Sequence, residues 1–220
     1  MKIAAVVPAL DEEKNISGVL KVLLDSKDLD EVIVVDDGSA DKTAEISRLS
    51  GARVISLPKK GGSGKANAMK QGIKNTDADV ISFFDADLVG LTKEHISSIV
   101  RPIMAGKADM VVGVRGRWGG LPKMIAKIFP LLAIGGERAV KRHILENLPE
   151  EFMHGYSVEI GLNFYCRRKN IPVVYADLKG LTMVVKEKKW GLWKGFAGRV
   201  KMTMQIIKAL VSTINKKINE

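Results

Sequence analysis

Strand-like and helix-like segments alternate through the first half of this 220-residue chain, and that alternation constrains its fold more than any other feature. Ile3–Val7, Val32–Val35, Arg53–Leu57, Val80–Phe84 and Met110–Val114 are short apolar or β-branched runs of strand length. Between them lie helical patterns. Asp11 is positioned to cap a helix over Glu12–Leu24, with Ile16, Val19, Leu20, Leu23 and Leu24 on one face. Ser39 or Asp41 opens a second helix running to Leu49, and a glycine-rich loop at 61–64 leads into a third over Lys65–Lys74. A fourth spans Thr92–Met104. Strands separated by helices need crossover connections, which implies an α/β fold with a mostly parallel, Rossmann-like twisted sheet flanked by helices. The length suits one such domain, and no internal repeat is present.

The second half is less regular. Residues 115–136 read as a loop with a short helix, 137–147 and 156–169 as helices, and Val173–Tyr175 and Leu181–Val185 as strands. From Trp193 onward, Phe196, Val200, Met204, Ile207, Leu210, Val211 and Ile214 recur at spacings of three and four, with lysines mostly elsewhere. This predicts a basic amphipathic C-terminal helix, which either packs on the domain or lies in a membrane interface.

Three strand-like runs end in acidic residues: Asp11/Glu12, Asp36/Asp37 and Asp85/Asp87. Strands of a parallel sheet end on one edge, where such folds place ligands, so these carboxylates can converge on one cleft. The run Val80-Ile81-Ser82-Phe83-Phe84-Asp85-Ala86-Asp87 is the sharpest case. Two carboxylates one residue apart suit a hard cation such as Mg²⁺ or Mn²⁺. They are equally compatible with a strand that stops and a helix that is capped.

Other chemistries lack their residues. The loop Lys59-Lys60-Gly61-Gly62-Ser63-Gly64-Lys65-Ala66 misses the phosphate-loop pattern, with Lys59 where glycine is needed and Ala66 where a hydroxyl is needed. It remains either an anion-binding helix entry or a surface turn. No G-x-G-x-x-G follows the first strand and no G-x-S-x-G occurs. His95, His143 and His154 lack zinc-ligand spacing, and Cys166 reads as core packing. Ile3–Val7 is broken by Pro8 and followed by acids, so it reads as a strand, not a signal peptide, and no run of 18 apolar residues exists. The net charge of +10 points to an anionic partner: nucleic acid, an acidic membrane surface or a phosphorylated ligand.

Val6-Val7-Pro8-Ala9-Leu10-Asp11-Glu12-Glu13, Val34-Val35-Asp36-Asp37-Gly38-Ser39-Ala40-Asp41-Lys42-Thr43, Gly64-Lys65-Ala66-Asn67-Ala68 and Asp85-Ala86-Asp87 together resemble family 2 glycosyltransferases of the GT-A fold, including dolichyl-phosphate mannose synthase-like enzymes. The likeness spans residues 3–90 and continues more loosely through Gly136-Glu137-Arg138-Ala139 and Gly155-Tyr156-Ser157-Val158-Glu159. It implies that Pro8, Ala9, Leu10 and Glu12 line the base and ribose of a nucleotide-sugar donor. Asp36 and Asp37 would lie at the base, Lys65 near the base or diphosphate, and Asp85 at the ribose and metal. Asp87 would bind Mg²⁺ or Mn²⁺ directly, and Glu159 would be the general base. Relatives often carry a histidine near residue 183; Met183 stands here and is a poor ligand for a hard cation. Arg115, Arg117, Arg138 and Lys186 are candidates to neutralise a phosphate or hold the acceptor.

The resemblance implies a metal-dependent transferase moving a sugar, UDP-linked by expectation, with inversion and with a polyprenyl-phosphate or other lipid acceptor. A retaining enzyme acting on a small phosphorylated acceptor such as phosphoglycerate is the alternative. A nucleotidyltransferase and a basic nucleic-acid-binding protein stand behind these; aromatics at 5% and the lack of any RNA- or DNA-binding motif argue against nucleic acid. The expected organisation is a catalytic domain over 1–189, split into a nucleotide-sugar half (1–114) and an acceptor half (115–189), with a basic helix over 190–220. A cytoplasmic protein is expected, held at the inner face of the plasma membrane through 190–220, with a homodimer as a compatible assembly.

Overall fold

The computed structural model describes residues 1–58, 64–115, 136–152 and 157–184. Readings that fall on Arg117, Lys186, the apolar stretch 121–134 and the helix from Trp193 lie outside them. A seven-stranded sheet organises the described residues: β1 (Ile3–Ala9), β2 (Glu31–Asp36), β3 (Arg53–Ser56), β4 (Val80–Phe83), β6 (Met110–Val114), β7 (Arg138–Lys141) and β8 (Val173–Asp177) in the spatial order β3-β2-β1-β4-β7-β6-β8. A separate two-stranded ribbon pairs β5 (Leu88–Val89) with β9 (Thr182–Met183).

The strands read as continuous apolar runs because both faces of the sheet are covered. Side chains alternate between two cores with the period of two that a strand imposes. Ile3, Ala5, Val7, Val32 and Val34 pack on one face with α1 (Ile16–Leu24) and α4 (Lys93–Met104). Val6, Ile33, Val35, Ile81 and Phe83 pack on the other with α3 (Lys65–Lys74) and α6 (Ser157–Arg168). Helix α3 lies close on β1 because Gly72 has no side chain: a Cβ there would fall 2.3 Å from Val6 Cγ1. Helix α2 (Thr43–Leu49) and the short α5 (Arg142–Glu146) complete the helices used below.

Two sequence expectations change. Helix α1 begins at Ile16, not Glu12. Asp11 adopts a left-handed φ of 53° and turns the chain away from the strand instead of capping a helix. The second change is in residues 137–147, read as one helix. Arg138–Lys141 form β7, wedged between β4 and β6 and antiparallel to both, and only Arg142–Glu146 are helical. This antiparallel strand makes the sheet mixed. It also carries Gly136, Glu137 and Arg138 to the edge where β4 ends. Among the described residues no helix is long and apolar enough to cross a membrane.

Candidate active site

Strands β1, β2 and β4 run parallel, so Leu10–Glu12, Asp36/Asp37 and Asp85/Asp87 leave the sheet on one edge, as the alternation predicts. The first two loops are laced together. Asp11 N–H donates to Ser39 Oγ at 3.0 Å, and Ala40 N–H donates back to Asp11 Oδ1 at 2.8 Å. Glu12 N–H donates to Thr43 Oγ1 at 2.7 Å, while Glu13 N–H donates to Asp41 Oδ2 at 3.0 Å. Ser39, Asp41 and Thr43 thus brace the wall formed by Pro8–Glu12, a role that their types alone do not reveal. Asp36 and Asp37 are buried, and Asp37 Oδ2 accepts from Gly64 N–H at 2.8 Å. That bond fastens the entry of α3 to the end of β2. Gly64 itself has a φ of 87°, a conformation open to glycine at little cost.

Lys65, the first residue of α3, links three regions of the chain. Its Nζ lies 2.6 Å from Asp85 Oδ1 and 3.5 Å from Glu159 Oε1. Burial alone would lower its pKa, but the charges of Asp85 and Glu159 outweigh burial and hold the ammonium above the usual lysine range. Glu159, in the first turn of α6, is buried. Its backbone carbonyl accepts from Arg138 Nη1 at 3.3 Å. Arg138 is 0% exposed, so it supports the start of α6 from inside the protein and does not face an acceptor across open solvent. Burial lowers its pKa from the usual arginine value, opposed by Glu159 and Glu137.

Glu137 is the residue that sequence reasoning passed over. It is 0% exposed, neither carboxylate oxygen has a well-formed hydrogen-bond partner among the described residues, and Arg115 Nε lies 3.3 Å from Oε2. Burial raises its carboxyl to about 7, with the nearby Asp85 charge adding to the rise and Arg115 opposing it. Because the folded pKa lies above the unfolded value of 4.5, the folded chain binds the proton more tightly than the unfolded chain does. The stability from this proton is complete below the unfolded value and is lost as pH rises toward about 7. Glu137→Gln is therefore expected to raise the melting temperature relative to wild type at about pH 8 and to change it least near pH 4. Parallel melting curves across that range check this; a constant difference at every pH would contradict it.

Asp85 packs on backbone: a Cβ at Gly136 would fall 2.5 Å from Asp85 Oδ2. Asp87 continues into β5, whose Leu88 pairs with Met183, and Val184 N–H donates to the Asp87 carbonyl at 3.1 Å. The ribbon thus brings the backbone of Met183–Val184 alongside that of Asp87–Leu88. No cluster of three or more His, Cys, Asp or Glu suited to a metal occurs among the described residues. The donor set that is present, Asp85 and Asp87, consists of hard oxygens. The buried Glu137 carboxyl close by adds negative charge when it gives up its proton. Both features fit Mg²⁺ or Mn²⁺, which keep part of their shell for water and phosphate oxygens. His95 is structural, capping α4 with Thr92 and meeting the Lys179 carbonyl at 2.9 Å. Cys166 is buried with its thiol pushed up to about 12, so it is not a nucleophile.

The model of the family described as "Glycosyl transferase family 2" matches residues 4–150. The chain belongs to that family. Its fold is the GT-A fold, as a crystal structure of glucosyl-3-phosphoglycerate synthase from Mycobacterium tuberculosis with Mn²⁺, UDP and glucosyl-3-phosphoglycerate makes plain. That structure superposes with a TM-score of 0.78 at 28% identity, covering 96% of this chain and 79% of that one. A second structure of the same enzyme, with Mg²⁺ and UDP, gives a TM-score of 0.74 over the same shares at 28% identity. Among curated proteins, the glucosyl-3-phosphoglycerate synthase of Mycobacterium tuberculosis is 33% identical over 73% of this chain and 59% of its own length. That of Petrotoga mobilis is 30% identical over the same shares. The 4,4'-diaponeurosporenoate glycosyltransferase of Staphylococcus aureus is 33% identical over 43% of this chain. The chain spans about 59% of the length of the synthases it matches.

Family membership supports a glycosyltransferase over the nucleotidyltransferase and nucleic-acid-binding alternatives. The description of these relatives as glucosyl-3-phosphoglycerate synthases names a phosphoglycerate. It lends no support to the dolichyl-phosphate mannose synthase-like subtype or to attachment at the inner membrane face.

Proposed function

We propose that this chain transfers a sugar from a UDP-sugar to a small phosphorylated acceptor of the phosphoglycerate type, with Mg²⁺ or Mn²⁺ held by Asp85 and Asp87. The observation that carries this reading is the meeting of Asp85, Lys65 and Glu159 at the carboxyl edge of the sheet. It joins the donor loops of the first half to the start of α6 in the second. Pro8, Ala9, Leu10, Glu12, Asp36 and Asp37 form the wall for the nucleoside, kept rigid by Ser39, Asp41 and Thr43. When bound, the metal acts as a Lewis acid that neutralises charge on the departing diphosphate. Lys65 supplies a further positive charge to the diphosphate, and Glu159 orients the acceptor hydroxyl. Arg138 fixes the turn that presents Glu159, and Glu137 holds Arg115 where an acceptor phosphate can meet it.

The net charge of +10 favours an anionic acceptor over a neutral one. The test is transfer of labelled glucose from UDP-glucose with Mn²⁺ to 3-phosphoglycerate, glycerol 3-phosphate, glycerol or polyprenyl phosphate. Product with the first two and none with glycerol is expected. Product with polyprenyl phosphate alone would refute the acceptor assignment. The anomeric configuration of the product, read by NMR, then separates a Glu159 that takes the hydroxyl proton (inversion) from one that only positions the hydroxyl (retention).

A further inference from the structure

We propose that Lys65 is a resident counter-ion that denies Asp85 to a bare divalent cation and releases it only when a nucleoside diphosphate arrives with the metal. This rests on the reading above and concerns how the site fills.

Lys65 is held in place at both ends. Its backbone follows Gly64, whose N–H is bonded to Asp37, and its ammonium sits between Asp85 and Glu159. The Lys65 side chain is 29% exposed, and those of Asp85 and Glu159 are 16% and 5% exposed. Charges this sheltered attract strongly, and neither carboxylate is well hydrated without its partner. A metal ion that takes Asp85 must displace the ammonium or share the carboxylate with a like charge. Displacement also strips Glu159 of the same cation. A metal arriving alone offers Lys65 no new anion. A metal arriving with a diphosphate offers the ammonium phosphate oxygens, a partner of the same strength.

The charge count agrees. At this point the carboxylates of Asp85 and Glu159 face the ammonium of Lys65, leaving one net negative charge. A dication alone turns that into one net positive charge. A dication with the two negative charges of a diphosphate diester leaves it as it was. Metal and nucleotide are therefore coupled through one side chain, and coupling between bound ligands is reciprocal.

The experiment titrates Mn²⁺ into the full chain, counting free metal by electron paramagnetic resonance, and then repeats the titration with UDP present. Lys65→Met, which keeps the stem and removes the charge, is compared with wild type; Lys65→Gln is the second variant should the first not fold. Bare Mn²⁺ is expected to bind the variant about tenfold more tightly than wild type, within the usual range of such couplings. UDP with Mn²⁺ is expected to bind it at least about tenfold more weakly. Adding Asp85→Asn should erase the gain for bare metal. If wild type binds UDP with Mn²⁺ but the variants bind bare Mn²⁺ no more tightly, the counter-ion role is overturned while the proposed function stands. A gain that survives Asp85→Asn overturns it too. Failure of wild type to bind UDP with Mn²⁺ overturns the proposed function and this inference together.

Discussion

Asp87→Asn is expected to lower sugar transfer by about a thousandfold or more while the protein melts within a few degrees of wild type. The substitution keeps the shape of the side chain and removes its charge. Asp87 is only partly buried and enters the ribbon of β5 and β9 through its backbone carbonyl, which the variant retains. The fold therefore loses little. The transition state loses more, because a metal that neutralises a departing diphosphate contributes several kcal/mol, and each ~1.4 kcal/mol is a factor of ten in rate. Initial rates at saturating UDP-sugar and Mn²⁺, together with a melting curve, check both halves. Rates within tenfold of wild type would remove Asp87 from the metal site.

Gly136→Ala is expected to have the second-largest effect, although no reaction step uses residue 136. The added methyl would lie 2.5 Å from Asp85 Oδ2 and 2.9 Å from its Cγ, closer than atoms approach. Asp85 is the residue that yields, because its carboxylate can rotate whereas the backbone at Gly136 leads directly into β7. Rotation breaks the 2.6 Å contact with Lys65 and turns one metal ligand aside. Misplacement of a catalytic group by about 1 Å costs on the order of a hundredfold in rate. A loss of that size is expected, with weaker retention of Mn²⁺ in the presence of UDP and a melting temperature lowered by only a few degrees. Unchanged Mn²⁺ binding would show that Asp85 keeps its place.

The parallel part of the sheet was legible in the sequence because each strand is a short apolar run followed by a helix with its own period. The acidic strand ends were legible for the same reason, since parallel strands must finish on one edge. Strand β7 was not. Four residues, Arg138–Lys141, are too few for alternation to be distinguished from helical spacing, and Arg142–Glu146 continue them as a true helix. Without β7, Glu137 stays hidden, because a carboxylate on a surface helix raises no question, whereas a buried one at the start of a strand, lacking a well-formed hydrogen-bond partner among the described residues, does. The burial of Arg138 is not legible either, because a charged residue is seldom fully buried. Its burial makes sense only once the Glu159 carbonyl is seen above it. The ribbon of Leu88–Val89 with Thr182–Met183 joins segments of two residues each, and no local pattern announces it. The meeting of Lys65 with Glu159 depends on the order of strands in space, which spacing along the chain does not encode.

The central claim is that the carboxyl edge of this sheet binds a UDP-sugar through a divalent cation, and thermal melting tests it most directly. A ligand present at about a hundred times its Kd stabilises the folded state by about 2.7 kcal/mol, which for a chain of this size is roughly 5–10 °C. UDP-glucose with Mn²⁺ should raise the melting temperature by that amount, with Mn²⁺ alone or UDP-glucose with a chelator giving only a small part of it, and the shift should vanish in Asp87→Asn. An equal shift with ATP or RNA, or the same UDP-glucose shift with chelator present, would contradict the account.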